Sequence, residues 1–233
     1  MKIAVVIPAW QEEIHIKTVV EGVKKIPEVN TVYVVDDGST DKTAQLATEA
    51  GAVAIRQPQN MGVGAALRTG YLQAQQDGVD IVVTMGGDDQ DMPEQIPRVL
   101  QPILEQDYDL VQGSRWLAGG ATIDIPLFRR ITTKTYAIVL RLASGFPFTD
   151  GTNGFRAFRT NLVSKINLNQ EWLNHYELEP YILYNAVKLG LKVKEVPVTK
   201  RYHIKRGYSK MVPLLDWWRI LRPIIFLRLG IKK

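Results

Sequence analysis

Hydrophobic positions follow two different periods along the first half of the chain. Short runs rich in β-branched residues alternate with stretches in which apolar residues recur every three or four positions, as on one face of a helix. The runs predict strands over Ile3–Ile7, Val32–Val35, Ala52–Ile55, Ile81–Met85 and Leu110–Gly113. The stretches between them predict helices near Glu13–Lys25, Lys42–Ala50, Gly64–Gln76 and Pro93–Gln106. Strand and helix repeated in this order predict an α/β fold with a mainly parallel central sheet flanked by helices.

The regular alternation ends near Ser114. Beyond it the pattern predicts a helix over Phe128–Leu142, a glycine-rich segment, a helix over Glu177–Leu189 and a strand over Lys192–Val198. We therefore expect one main domain over residues 1–210, made of a first half, 1–115, and a second half, 116–210. A chain of 233 residues with 45% hydrophobic content is long enough for one sizeable core.

Polar side chains gather where three of the predicted strands end. In open α/β sheets, ligands bind outside the carboxyl ends of the strands, so these residues predict one shared site. They are Pro8, Trp10 and Glu12 after the first strand, Asp36 and Asp37 after the second, and Asp88, Asp89, Gln90 and Asp91 after the fourth.

Two of these loops carry adjacent carboxylates. Asp36 and Asp37 are costly to bring together unless they accept hydrogen bonds or face a cation, and base and ribose groups are suitable donors. A plain turn that caps the next helix is the alternative. The carboxylates of Asp88 and Asp89 are hard oxygen ligands that suit Mg²⁺ or Mn²⁺, which would neutralise a diphosphate. The alternative there is an acidic cap for the helix near Pro93.

The segment Asn60–Ala66 has the Gly-x-Gly spacing of a phosphate-binding turn, but close packing of the following helix explains it better. Arg115, at the end of the fifth strand, and Arg156 are candidate phosphate ligands in stronger local contexts than Arg129 or Arg201.

Composition narrows the classes of function. The chain has no Cys, which excludes disulfides and thiolate metal sites. Its apolar start, closed by Pro8, predicts a buried strand instead of a signal peptide, and therefore a cytoplasmic protein.

The net charge of +5 is concentrated in the tail, where ten Lys and Arg and a single acid, Asp216, fall within Lys200–Lys233. That excess suits phosphates or an anionic lipid surface. No nucleic-acid-reading motif is present, and we expect no nucleic-acid partner.

The tail over residues 211–233 predicts a basic amphipathic helix. Trp217-Trp218 and interspersed arginines favour a helix that lies in the membrane interface, since the segment is too charged to span a bilayer. The competing interpretation is a helix packed on the protein's own core.

The ordered set of motifs resembles a known family. The set comprises Ile7–Glu12, Val34–Asp41, Asn60–Gly64, Gly113–Arg115, Asp150–Arg156, and Glu195–Val198 with Ser209-Lys210. It is similar to the GT-A, family 2 glycosyltransferases, most closely the dolichol-phosphate mannose synthase branch of the polyprenyl-phosphate glycosyltransferases. The resemblance implies the Rossmann-like GT-A fold, with residues 1–115 binding a nucleotide sugar and residues 116–210 binding the acceptor.

The resemblance also implies roles for individual residues. Pro8, Trp10, Glu12, Asp36 and Asp37 would bind the nucleotide of a UDP- or GDP-sugar. Asp88, Gln90 and Arg115 would act in catalysis, with Asp88 and Asp89 as ligands of Mg²⁺ or Mn²⁺. Arg129, Arg156, Arg201, Ser209 and Lys210 would meet the phosphates of donor or acceptor. The family's Asp-x-Asp motif reads Gly86-Gly87-Asp88 here, so its first carboxylate is missing.

Three functions follow as alternatives. The first is inverting transfer of a sugar to a polyprenyl phosphate by an enzyme bound peripherally to the cytoplasmic face of a membrane. A phosphate acceptor is largely ionised near neutral pH, since its second pKa is about 6, and needs no strong base. The second is transfer to a saccharide or other hydroxyl, for which Asp150, Glu177 or Glu179 would be the base. The third is a non-catalytic nucleotide-binding homologue.

Overall fold

A seven-stranded sheet forms the centre of the protein. The structure is a computed structural model that describes residues 1–203, 212 and 215–231. Its strands are β1 Ile3–Ala9, β2 Thr31–Asp36, β3 Val53–Arg56, β4 Ile81–Thr84, β5 Leu110–Ser114, β6 Ala121–Ile123, β7 Arg156–Arg159, β8 Val193–Pro197 and β9 Thr199–Arg201. The central sheet has the order β3-β2-β1-β4-β7-β5-β8, and a two-stranded sheet pairs β6 with β9.

Helices cover the central sheet. They are α1 Ile16–Lys24, α2 Thr43–Glu49, α3 Val63–Gln76, α4 Ile96–Gln106, α5 Leu127–Ser144, α6 Leu162–Lys165, α7 Leu178–Lys188 and α8 Leu215–Arg228, with 3₁₀ turns at Pro93–Gln95 and Glu171–Leu173. Two hydrophobic clusters sit on its opposite faces, since alternate residues of β1 such as Val5 and Val6 belong to different clusters. The α/β fold predicted from the hydrophobic pattern is confirmed.

Strand β7 is the main element that the pattern did not predict. It runs antiparallel between β4 and β5, pairing Thr84 with Arg156 and Leu110 with Phe158. The other pairs in the central sheet are parallel. Because β7 comes from the second half of the chain, the two halves share one sheet. The short elements β6, α6 and β9 were also not predicted.

Helix α8 packs on the protein itself along one face. Ile220 and Ile224 are buried in the core cluster that also contains residues of α5 and α7. The Tyr136 hydroxyl of α5 donates to the Ile220 carbonyl at 3.3 Å. This agrees with the alternative that the sequence left open for the tail, a helix packed on the protein's own core, and contact of the helix with a membrane stays a prediction. Within residues 1–203 and 215–231, the structure has no helix long and apolar enough to cross a bilayer.

Candidate active site

A cavity of about 460 Å³ is lined by the residues that follow β1, β2 and β4 and, on its other side, by residues of α5, α7 and α8. Its position agrees with the rule that ligands bind at the carboxyl ends of parallel strands. Eight of the predicted site residues line it, namely Pro8, Trp10, Glu12, Asp37, Asp88, Gln90, Arg115 and Arg129. The structure thus brings residues from both halves of the chain to one site.

Asp37 connects the loop after β2 to the start of α3. Its two carboxylate oxygens accept the backbone N–H groups of Met61 and Gly62, at 2.7 and 2.9 Å. Burial raises the pKa of Asp37, and the two amide hydrogen bonds act in the opposite direction. A Cβ at Gly64 would lie 2.1 Å from the Leu173 carbonyl oxygen. Close packing at the start of α3 is therefore confirmed. The backbone N–H groups of Met61 and Gly62, just before this helix, are already bonded to Asp37.

Asp36 lies behind the cavity wall. It is fully buried and does not line the cavity. Its Oδ1 accepts the Ser39 amide at 3.0 Å, and its Oδ2 lies 3.5 Å from Nε of Arg56. The prediction that both adjacent carboxylates face the nucleotide is corrected, because the side chains of successive strand-end residues point to opposite sides. Asp36 shapes the turn, and Asp37 reaches the cavity.

Arg115 lies in a buried hydrogen-bonded cluster. Its Nε and Nη2 donate to the two carboxylate oxygens of Asp150 at 2.6 and 2.7 Å. Nη2 also donates to Thr152 Oγ1 at 2.7 Å, and Nη1 donates to the Tyr202 hydroxyl. Glu195 in turn accepts the backbone amide of Asp150 at 2.9 Å. The guanidinium lines the cavity in a fixed orientation, and most of its donors are used within the protein.

The loop after β4 presents one carboxylate to the cavity, that of Asp88. Asp91 is buried, and its Oδ2 accepts the Gly86 amide at 3.0 Å while its Oδ1 pairs with Lys200 Nζ at 2.7 Å. Asp89 has a left-handed backbone, φ 56°, and its carboxylate lies 3.5 Å from His203 Nε2. Asp89 does not itself line the cavity, although His203 beside it does, and a metal site that Asp89 completes with Asp88 stays a prediction.

This arrangement fits only one mode of metal binding. Across the described residues, no three His, Asp or Glu side chains are grouped so that they could hold an ion. Mg²⁺ commonly takes one or two carboxylates and completes its shell with water and substrate phosphates. Asp88, with Gln90 beside it in the lining, fits that mode.

The predicted phosphate-binding arginines separate into two groups. Arg129 of α5 lines the cavity, and its guanidinium lies 5.6 Å from the ring centroid of Tyr202. Arg156 is fully buried and donates to Asn153 O at 2.8 Å and Glu179 Oε1 at 3.1 Å. Neither Arg156 nor Arg201 lines the cavity. Complete burial excludes direct phosphate contact by Arg156, which corrects that prediction, whereas phosphate contact by the half-buried Arg201 stays a prediction. Ser209 and Lys210 lie outside the described residues.

Comparison with known proteins identifies the family. The family model described as glycosyl transferase family 2 matches residues 4–166. The chain belongs to glycosyl transferase family 2. This glycosyltransferase is 30% identical over 239 residues to the UDP-N-acetylglucosamine–dolichyl-phosphate N-acetylglucosaminyltransferase of Methanococcus voltae, covering 94% of each chain. It is 31% identical over 217 residues to the polyprenol monophosphomannose synthase of Mycolicibacterium smegmatis, covering 89% of this chain and 80% of that one.

A solved structure shows the same fold. Glucosyl-3-phosphoglycerate synthase from Mycobacterium tuberculosis, in complex with Mn²⁺, UDP and glucosyl-3-phosphoglycerate, superposes with a TM-score of 0.73. The match covers 100% of this glycosyltransferase and 81% of that chain at 22% sequence identity. Similarity at this level establishes the GT-A fold.

The far wall of the cavity in this family 2 glycosyltransferase joins α7 to α8. Glu177 is buried there and lies 2.5 Å from Arg222 and 3.8 Å from Arg219. Burial raises the pKa of Glu177, while the two arginines act in the opposite direction. Asp216 and Trp217 of α8 and His175 line the cavity beside this cluster. The C-terminal helix is therefore part of the site, and two of its arginines point inward to Glu177.

Several lining residues were not predicted from the sequence. They include Thr152, His175, Tyr176, Lys200, Tyr202, Asp216 and Trp217. Thr152 lies in the motif Asp150–Arg156, and the others come from the second half or the tail, where no periodic pattern showed which residues face inward. For Lys200, burial opposes the charged form, but the carboxylates of Asp91 and Asp88 outweigh it and raise its pKa. The ammonium therefore stays charged.

Proposed function

We propose that this glycosyltransferase moves a sugar from a UDP- or GDP-sugar to a polyprenyl phosphate, with inversion at the anomeric carbon. One observation carries the proposal: a single cavity joins the nucleotide loops to a wall of α5 and α8 whose outer surface is apolar and basic. An acceptor with an anionic head and a hydrocarbon tail matches both features. The two relatives named above are transferases whose names specify dolichyl and polyprenyl acceptors.

The donor end of the cavity has the groups that a nucleotide sugar needs. Trp10 is 39% exposed, which leaves its ring accessible to a base, and Glu12 lies nearby in the same loop. Asp88 and Gln90 lie where the diphosphate would follow. A divalent cation bound there, Mg²⁺ or Mn²⁺, would neutralise charge on the leaving diphosphate.

The acceptor end has a basic and apolar surface at α5. This helix carries four basic residues and no acid. Its exposed apolar side chains lie on one face at helical spacing, namely Leu127, Ile131, Ile138 and Leu142, with Phe128 next to them. On α8, Trp218 is 47% exposed. Apolar bulk beside Lys and Arg is typical of a helix that rests on an anionic membrane, and we place this surface on the cytoplasmic face.

The chemistry suits a phosphate nucleophile. An acceptor phosphate oxygen forms a bond to the anomeric carbon while the bond from that carbon to the diphosphate oxygen breaks. Arg129 lines the cavity on the acceptor side and would orient the incoming phosphate. Asp150 pairs with Arg115 and Glu177 pairs with Arg222, and neither carboxylate lines the cavity. Glu179 does line it, and it is the candidate base for a hydroxyl acceptor.

An acceptor panel tests the proposal. Purified protein would be given UDP- and GDP-sugars with Mn²⁺ or Mg²⁺, and either polyprenyl phosphate, the corresponding unphosphorylated polyprenol, or an oligosaccharide. We expect transfer to polyprenyl phosphate alone, with inverted anomeric configuration by NMR. Glu179→Gln should retain most of that transfer. Transfer to the oligosaccharide that Glu179→Gln abolishes would instead establish the hydroxyl-acceptor function.

A further inference from the structure

Lys200 of β9 places a cation in the cavity next to the loop that carries Asp88. Its side chain is only 13% exposed, yet Lys200 lines the cavity. Among the described residues its ammonium makes one hydrogen bond, to Asp91 Oδ1 at 2.7 Å. An ammonium has three N–H donors, so two of them are not used by the residues that the structure describes.

Asp91 fixes the position of this ammonium. Asp91 is buried, and its second oxygen accepts the Gly86 amide at 3.0 Å. Asp91 and Lys200 also form a backbone bridge, which joins the loop after β4 to β9. The cation is therefore held by the loop that carries Asp88. A long flexible lysine loses side-chain entropy when it is ordered, and here that cost falls on folding instead of on ligand binding.

Gly86 leaves the space that this arrangement needs. A Cβ on residue 86 would lie 2.8 Å from Asp88 Oδ1 and 3.6 Å from Asp91 Oδ2. A carboxylate at position 86 would thus add a third negative charge beside Asp88 and Asp91. With glycine there, the loop holds two of these carboxylates and Lys200 neutralises one of them. Glycine in place of an acid at position 86 and the ammonium of Lys200 both make the charge around Asp88 less negative.

We propose that the Lys200 ammonium binds the diphosphate of the nucleotide-sugar donor, as a fixed cation beside Asp88. This inference rests on the proposed function, because it needs a diphosphate at this end of the cavity. It has a consequence of its own. The nucleoside diphosphate retains measurable affinity for the protein when divalent cations are removed, because part of its charge is neutralised by the protein.

Calorimetric titration of the full chain with UDP and with GDP, in EDTA and with Mn²⁺, tests the inference. Lys200→Met removes the cation, and the double variant Asp91→Asn with Lys200→Met removes it without leaving a buried carboxylate unpaired. We expect each to weaken diphosphate binding in EDTA by about 10-fold or more, the usual effect of losing a hydrogen bond to a charged group. Uridine and guanosine, which lack phosphate, should bind the variants as they bind the wild type.

Lys192→Met is the matched control. Lys192 also pairs with an aspartate, Asp107, at 2.9 Å, but its side chain is 61% exposed and lies outside the cavity. This variant should bind UDP and GDP as the wild type does. The inference is overturned if both Lys200 variants bind the diphosphates within twofold of the wild type, or if wild-type binding disappears in EDTA. Wild-type protein that binds no nucleotide even with Mn²⁺ would overturn the proposed function as well.

Discussion

The guanidinium of Arg115 and the carboxylate of Asp150 meet side by side, with Nε–Oδ2 and Nη2–Oδ1 distances of 2.6 and 2.7 Å. Both side chains are almost completely buried. Such a pair stabilises a fold only when every donor and acceptor is satisfied, and loss of one partner leaves an uncompensated charge. Thr152 and Tyr202 complete the set, so the pair fixes the shape of the cavity wall.

Arg115→Lys should therefore destabilise the protein. Lysine keeps the charge but cannot reproduce the two parallel bonds, and losing a hydrogen bond to a charged group costs about 1.5–3 kcal/mol. Urea unfolding measures the change. Arg159→Lys is the control, because the ion-pair partner of Arg159, Asp107, is 76% exposed and water screens such a pair. Equal losses in the two variants would contradict the role given to Arg115.

Asp88→Asn should reduce the rate of sugar transfer strongly. We expect a loss of about 10²–10³-fold in kcat, the usual range when one group that stabilises developing charge is removed. Asp89→Asn should cost less, because the Asp89 carboxylate does not line the cavity itself and lies 3.5 Å from His203 Nε2. Transfer assays across a Mn²⁺ titration separate the two variants. If Asp89→Asn is the more damaged one, the metal assignment is wrong.

Asp37→Asn should weaken nucleotide binding indirectly. In the wild type, the backbone N–H groups of Met61 and Gly62 each donate to a different carboxylate oxygen of Asp37. The amide of asparagine has only one oxygen, so one of these hydrogen bonds is lost. We expect a loss of about 1–3 kcal/mol in the free energy of nucleotide binding as this loop loosens. Calorimetry with UDP and GDP provides the measurement, and an unchanged affinity would remove Asp37 from the site.

His175 should make stability depend on pH. Burial, and then the positive charge of Arg219, lower the pKa of His175 from its ordinary value of 6.5. As pH falls below 6.5 the unfolded chain takes up a proton before the folded protein does, so stability decreases until the folded-state pKa is passed. Urea unfolding between pH 5 and pH 7 should show a steeper loss in the wild type than in His175→Gln. Parallel curves would refute the prediction.

The apolar face of α5 should carry membrane binding. Phe128→Glu combined with Ile131→Glu places acids on a surface where both side chains are more than half exposed. Co-sedimentation with anionic liposomes should fall sharply, while nucleotide binding stays unchanged. Val53→Glu on the edge strand β3, where the side chain is 49% exposed, is the control and should leave co-sedimentation intact.

Sequence patterns gave most of the sheet but missed β7. The first five strands lie in apolar runs rich in β-branched residues, which are detected well from sequence. The sequence of β7 is Arg156-Ala157-Phe158-Arg159, and a short segment with an arginine at each end does not resemble a buried strand. Its neighbours in the sheet bury it, and that burial depends on tertiary contacts no local pattern contains.

The sequence predicted best those lining residues that directly follow a strand. Residues directly after β1 and β4 reach the cavity, as strand order requires. The predictions that Asp36 and Arg156 contact a ligand were wrong, because a motif gives the residue type but not the direction in which the side chain points. Lys200 and Trp217 were missed because their inward orientation depends on how β9 and α8 dock, which is set far away in sequence.

The antiparallel strand also determines how this protein could be recombined. β7 lies between β4 and β5, so a chimera that took its second half from a relative would replace the strand between two strands of the first. The strand taken from the relative would have to pair with Thr84 on one side and Gln112 on the other, since Arg156 pairs with both. The second half of the chain therefore cannot be exchanged on its own unless the graft also preserves the hydrogen-bond register at the middle of the sheet.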